Sequence, residues 1–291
     1  MVPALLSNRS QLLRTHMTVG ASTGYMESLR GSWPALAAEA ASVSSVAAEL
    51  SAISEPELPD LLDFLTTAPR LPFRYVSVHA PSKQRLLTED DLVGLLMRIP
   101  VWVDAIVLHP DTMQSPRAFQ RLGRRLLIEN MDTRKDGGQT ADQLATVFDE
   151  LPAAGLCFDI AHAKDVDPTM GAAVEILDRL SARLRHVHIS SLDEAQHHVP
   201  LTAEDEELFA PILARGRDVP WILDAPPPGP STIRADRSSA WPSDPAGRSM
   251  LSRAPASGRA ASLTVSHLRS RTRRSRAVCR SSCSARGRAR S

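Results

Sequence analysis

The chain has 291 residues, of which 43% are hydrophobic and only 4% aromatic, so one large domain with an Ala-, Leu- and Val-built core is within reach. It lacks any apolar run of about eighteen residues that would suggest a membrane span, and its opening MVPALLSNRSQLLRTHM lacks the hydrophobic core and cleavage site of a secretion signal. The net charge of +1 hides a division: from residue 226 onward fourteen Arg face two Asp, a net of +12, which leaves residues 1 to 225 at −11.

Residues 1–16 read as an N-terminal extension. Eight β-type runs follow: MTVGAST (17–23), VAAELSAI (46–53), YVSVHAP (75–81), AIVLHPD (105–111), RLLIENMD (125–132), GLCFDIAH (155–162), LRHVHIS (184–190) and VPWILDAP (219–226). Helix-patterned segments lie between them, among them ELPDLLDFL, LTEDDLVGLLMRI, TADQLATVFDEL, MGAAVEILDRL and EDEELFAPIL. Thr88 ahead of Glu89, Asp90 and Asp91 is a strong N-cap signal. Strands alternating with helices imply parallel β/α units, and eight of them match an α/β (β/α)₈ TIM barrel over residues 17–236. A doubly wound open sheet is the competitor. The count of eight disfavours it, as does GASTG after the first run, which is too loose for a dinucleotide-binding loop.

After DAPPPGPSTIRAD the helical pattern stops, so the last β/α unit is expected to be incomplete. Residues 237–291 read as an Arg- and Ser-rich disordered tail. Clustered Arg suits phosphate neutralisation. The lack of Lys, and a start where the barrel's last helix belongs, favour a segment not shaped for function, such as the product of a shifted reading frame. Of three cysteines, only Cys157 lies in the globular part, which argues against a disulfide scaffold and fits a reducing, cytoplasmic setting.

The strand ends carry the chemistry. His79 ends the third run, His109 the fourth, Glu129 the fifth, Asp159 and His162 the sixth, His188 the seventh and Asp224 the eighth, with His197 and His198 in the loop between the last two. In a barrel these ends converge on one face, where active sites are built. A single strand-end His is more often a hydrogen-bonded structural group, but six of the nine histidines fall in this set. Imidazoles with carboxylates suit a divalent metal ion: zinc, manganese, iron or cobalt. Glu129 is placed to bridge two such ions. Glu49 and Lys83 are candidate substrate contacts. Lys164 reads as solvated, His186 as structural beneath His188, Cys157 as core, and only one of His197 and His198 is expected to face inward.

With these residues in place, the sequence resembles the xylose isomerase-like TIM barrel superfamily, which holds sugar isomerases and epimerases together with the AP endonuclease family 2, or endonuclease IV, branch. VHAP, LHPD, LIEN, CFDIAH, HVHIS, HHVPL and ILDAP carry the resemblance, in the family's order. It implies a central metal held by Glu129, Asp159, His188 and Asp224. In the nuclease branch it implies a second ion at His79 and His109 bridged by Glu129, and a third at His162 and His198. This chain departs at three places: Asp224 stands where the family has Glu, Gln196 where the nuclease branch has Asp, and SSLDE where that branch has Asn-Asp-Ser-Lys.

Three functions follow as expectations. The first is a divalent-metal-dependent isomerase or epimerase of a small sugar or polyhydroxy carbonyl compound. There Glu129 and Asp224 would transfer the proton on either side of a metal-stabilised enediolate, and His79 and His109 would bind substrate hydroxyls or another ion. The second is an endonuclease IV-like phosphodiester hydrolase. The acidic body counts against it, because affinity for duplex DNA comes mostly from phosphate neutralisation. The third is a non-catalytic or decayed barrel. The expected partner is therefore a carbohydrate-like small molecule, with neither nucleic acid nor membrane, and the sequence does not set the oligomeric state.

Overall fold

A computed structural model describes residues 18–67 and 71–226. The expected extension and tail lie outside the described residues. Seven strands come first: β1 (Val19–Ser22), β2 (Ala47–Ser51), β3 (Tyr75–His79), β4 (Ala105–Leu108), β5 (Leu126–Glu129), β6 (Gly155–Asp159) and β7 (Leu184–Ile189). A two-stranded antiparallel ribbon of β8 (Ser191–Leu192) and β9 (His198–Val199) precedes the last barrel strand, β10 (Trp221–Leu223). β1 to β7 and β10 form a closed, all-parallel barrel in the order β1-β10-β7-β6-β5-β4-β3-β2. The fold is a TIM barrel, and the sheet closes completely: β10 pairs with both β1 and β7. The segment expected to hold the eighth helix lies outside the described residues.

Side chains alternate across each strand, with a period of two. Outward residues such as Val78, Ile106, Leu108, Ile128, Leu156, Phe158 and Val187 join the large core between sheet and helices. Inward, Ala105, Val107, Leu127 and Cys157 form a separate small apolar cluster against Tyr75. Two residues further along the same inward faces come the polar side chains, and this places them together. Closure demands a small residue at one point. A Cβ on Gly20 of β1 would lie 2.6 Å from the backbone of Ala47 on β2. Any side chain there forces the two strands apart.

The helices among the described residues, α1 (Trp33–Val43), α2 (Leu58–Thr67), α3 (Glu89–Leu96), α4 (Ala141–Glu150), α5 (Ile160–Val166), α6 (Gly171–Leu180) and α7 (Ala203–Leu213), follow local signals. Thr88 caps α3 (Glu89–Leu96), accepting a hydrogen bond from the Asp91 amide at 3.2 Å. Thr140 with Gln143 and Thr202 with Asp205 form capping boxes on α4 (Ala141–Glu150) and α7 (Ala203–Leu213). Two crossovers differ from what the sequence pattern shows. Between β1 and β2 stands α1 (Trp33–Val43), an Ala-rich helix whose buried Trp33, Leu36, Ala37 and Ala40 share one face. Alanine gives little contrast between core and solvent faces, so the helix leaves a weak trace in the sequence. Between β4 and β5 the chain uses 3₁₀ turns, Pro116–Arg125, broken at Gly123, whose φ is 60°. Pro116 and the polar run around Phe119 and Leu122 do not support a longer helix. Among the described residues no helix is long and apolar enough to cross a membrane.

Candidate metal centre

Glu129 is the hub. It ends β5 pointing inward and is 1% exposed. Its Oε2 lies 3.1 Å from His79 Nε2 and 3.4 Å from His109 Nε2. Its Oε1 lies 3.3 Å from His162 Nδ1 and 3.4 Å from His188 Nδ1. One carboxylate thus faces four imidazoles, two on each oxygen. Burial works against its charge, but His188 and His109 more than offset this and hold the carboxyl well below its ordinary range.

The geometry shows why a strand ends in Asp159 with His162 three residues on. Asp159 is the N-cap of the short helix α5 (Ile160–Val166), and its Oδ1 accepts the His162 amide at 2.8 Å. Its Oδ2 is buried without a hydrogen-bond partner and lies 3.7 Å from His162 Nδ1 and 3.9 Å from His188 Nδ1. Local capping occupies one oxygen and leaves the other facing the centre. Asn130 fixes the neighbouring strand ends by exchanging two 2.8 Å hydrogen bonds with the Asp159 backbone.

The imidazoles differ in charge. Burial opposes protonation of His79, but Glu129 prevails and raises it to about 9. Burial dominates at His109 and lowers it despite the same carboxylate. At His162 burial is outweighed by Asp159 and Glu129, and the group is raised. The ligand-type atoms gather into groups lying within 4.8 Å of one another: His79, His109 and Glu129; Glu129, Asp159 and His188; Asp159, His162 and His198; and, deeper, Cys157, His186 and His188. The donor set fits a divalent cation. Nitrogen and carboxylate oxygen converge, and Asp159 Oδ2 and His188 Nδ1 are buried without hydrogen-bond partners, at a cost a cation would remove.

Asp224 stands outside these groups. It follows β10 at the mouth, with its Oδ2 3.6 Å from His198 Nδ1. Its contact is thus with His198, which is itself grouped with Asp159 and His162. Glu49, expected to touch substrate, has no solvent exposure and lies beneath the histidines, 3.1 Å from His188 Nε2. The inward face of β2 carries it below the floor of the site. Lys83 is exposed on the loop after β3. Lys164 is not solvated alone but pairs with Asp205. His186 sits deeper than His188, 2.9 Å from the Tyr75 hydroxyl. His197 points outward to Asp193, while His198 faces in toward Ser190 and Asp224. Gln196, at φ 60°, directs its amide to Asp165 at 3.1 Å rather than to the His162–His198 pair.

Asp132 was not singled out by the sequence pattern. It is 1% exposed, 3.6 Å from His162 Nε2 and 2.6 Å from Arg134 Nη2. Its position three residues after Glu129, at the end of the run RLLIENMD, is the available signal.

Known proteins place this architecture. A family model described as the xylose isomerase-like TIM barrel matches residues 116–241. Those residues run from the turns before β5 past β10, so the match covers the second half of the barrel. A solved D-psicose 3-epimerase, crystallised in the presence of D-fructose, superposes on this barrel with a TM-score of 0.50 at 13% identity, over 72% of this chain and 84% of that one. An AP endonuclease, family 2, from Brucella melitensis gives 0.47 at 13% identity, over 73% and 94%. A probable 3-DHS dehydratase from Bacillus anthracis gives 0.44 at 13%, over 72% and 92%. At such identities the likeness is one of fold. None of the curated proteins matches the chain in sequence.

Proposed function

We propose that this chain is a divalent-metal-dependent isomerase or epimerase acting on a small sugar or related polyhydroxy carbonyl compound. One observation carries the reading: Glu129 presents each of its two oxygens to a different pair of imidazoles, beside an unpartnered, fully buried Asp159 Oδ2. Burying that much titratable chemistry without a cation is costly. Zinc or manganese fits the donors best, with iron and cobalt compatible. Glu129, Asp159 and His188 would hold the central ion, and His79 and His109 would hold a second with Glu129 or bind substrate hydroxyls. Such an ion, when bound, supplies Lewis acidity toward adjacent substrate oxygens.

The protein's own groups divide the remaining work. Asp224 sits at the mouth, partly exposed, where a carboxylate can exchange a proton with a substrate carbon. His198, 3.6 Å from it and 2.7 Å from Ser190 Oγ, fixes its direction. Glu129 is held ionised by its imidazoles, which suits a ligand and makes it the weaker of the two proton acceptors. His79, His109 and His162 supply donors around the pocket floor.

A second reading rests on the group of Asp159, His162 and His198, which offers a third position of the kind a phosphodiester hydrolase would use. The amide of Gln196 is turned away toward Asp165, so the further acids beside that position are Asp132, 3.6 Å from His162 Nε2, and Asp224, 3.6 Å from His198 Nδ1. The net charge of −11 over residues 1 to 225 disfavours duplex DNA as partner.

Elemental analysis of purified protein, with deuterium uptake from solvent into a panel of ketoses, tests both. One or two ions and deuterium at the carbon next to the carbonyl are expected. Three ions with no deuterium uptake favour the hydrolase. A metal content near zero removes both enzyme readings and leaves a non-catalytic barrel.

A further inference from the structure

Glu49 is a fully buried carboxylate that the proposed chemistry does not use. It points inward from β2, with no exposure, and its strand neighbour across the β2–β3 pairing is Ser77. Ser77 Oγ donates to its Oε2 at 2.8 Å. Its Oε1 lies 3.1 Å from His188 Nε2, a close charge contact rather than an aligned hydrogen bond. Oε2 is also 3.6 Å from His186 Nε2, and His186 Nδ1 is 2.9 Å from the Tyr75 hydroxyl. Tyr75, His186 and Ser77 thus brace Glu49 from below, and His188 is the group it meets above.

The two nitrogens of His188 face different surroundings. Nδ1 is turned to Glu129 Oε1 at 3.4 Å and Asp159 Oδ2 at 3.9 Å. Nε2 is turned to Glu49. An ionised carboxylate only accepts hydrogen bonds, so the imidazole nitrogen beside it keeps its proton. A ring that must offer one lone pair then offers it at Nδ1. Ligating histidines in proteins are generally oriented this way by an acceptor behind the ring.

We infer that Glu49 is the positioning residue for His188: from beneath the site it fixes the ring plane and keeps the proton on Nε2, leaving Nδ1 for the centre formed with Glu129 and Asp159. This rests on the metal-centre reading above. Glu49 itself touches neither substrate nor ion.

Glu49→Gln is the informative variant. It preserves volume, but Ser77 holds the amide oxygen on its own side, which turns the NH₂ group toward His188 Nε2. A donor there favours the wrong ring state, whereas a merely space-filling role would tolerate it. Zinc affinity, measured by competition with a chromophoric chelator, is expected to weaken about 10- to 100-fold. Nitrogen-15 spectra of the zinc-loaded protein, with labelled histidine, should show a single Nε2-protonated His188 in the wild type and mixed ring states in the variant. Wild-type affinity and a single ring state in a folded Glu49→Gln protein would overturn the inference. Should that variant not fold, Ser77→Ala, which keeps the carboxylate but frees its Oε2, must show both changes in smaller size; wild-type values there overturn it equally. If the wild type binds none of zinc, manganese, iron and cobalt, the metal-centre reading fails first, and if it binds another of these ions in place of zinc the same competition is read with that ion.

Discussion

The two ends of the barrel are built from the same strands and have opposite chemistry. At the C-terminal end, buried Glu129, Asp159, His162 and His188 crowd together with partly exposed His79 and His109, and Asp159 Oδ2 and His188 Nδ1 lack hydrogen-bond partners. At the N-terminal end a cavity of about 350 Å³ is lined by Tyr75, Asp104, Ala105, Arg124, Arg125, Leu127 and Arg185. The arginines there bond to carbonyls, Arg125 to Ile99 and Pro100 and Arg185 to Arg124. Burial, and then Arg124 and Arg183, lower Arg185. That cavity has the space, but no His, thiol or converging pair of acids lines it. Convergence of donors, not volume, marks a candidate site.

The sharpest way to break that contrast is Glu129→Ala. Metal retention should vanish, a loss beyond about 100-fold, since both oxygens of the hub go at once. Unchanged metal content would remove Glu129 from the centre. His109→Ala is expected to cost one ion while leaving the Glu129–Asp159–His188 group loaded, seen as a stoichiometry lower by one.

Asp224→Glu should sharpen the contrast from the other side. One added methylene extends the carboxylate toward the centre by about 1.5 Å. Metal affinity is expected to tighten several-fold, read by chelator competition; no change would mean that Asp224 acts only with His198.

The pH response should belong to the upper end alone. His79 is raised from 6.5 to about 9 in the folded, metal-free protein. The folded state therefore binds that proton more tightly than the unfolded chain does. Its contribution to stability is full below pH 6.5 and is lost as pH rises through 9. Thermal unfolding of metal-free protein across this window should show Tm falling, and His79→Gln should flatten the slope. The smallest effect is reserved for the lower end. Arg185→Ala should leave metal binding unchanged and alter stability by no more than about 0.5 kcal/mol. A loss of metal there would end the division between the two faces.

Much of this was legible before any coordinates. The eight strands announce themselves because each inward–outward alternation ends on a polar residue, as in LIEN and CFDIAH. Convergence of the histidines then follows from closure of the sheet. Other features are not written locally. Whether Glu49 meets substrate or His188 depends on how far down the barrel β2 sits against β7, a long-range register that no short segment carries. Asp224 looks like its neighbours in ligand type, and its contact with His198 at the mouth is set by how β10 meets the loop before it. α1 leaves a weak trace because its alanines are almost neutral between core and solvent.

The divided allegiance of Glu129 has a last implication. With one oxygen turned to His79 and His109 and the other to His162 and His188, charge arriving on either side redistributes what the other side feels. Filling one half must alter the affinity of its twin, and thermodynamic reciprocity makes that influence equal in both directions. Titration with a single kind of cation should then depart from two independent, identical steps, with the sign of the departure set by whether the shared carboxylate's gain outweighs the repulsion between the newcomers.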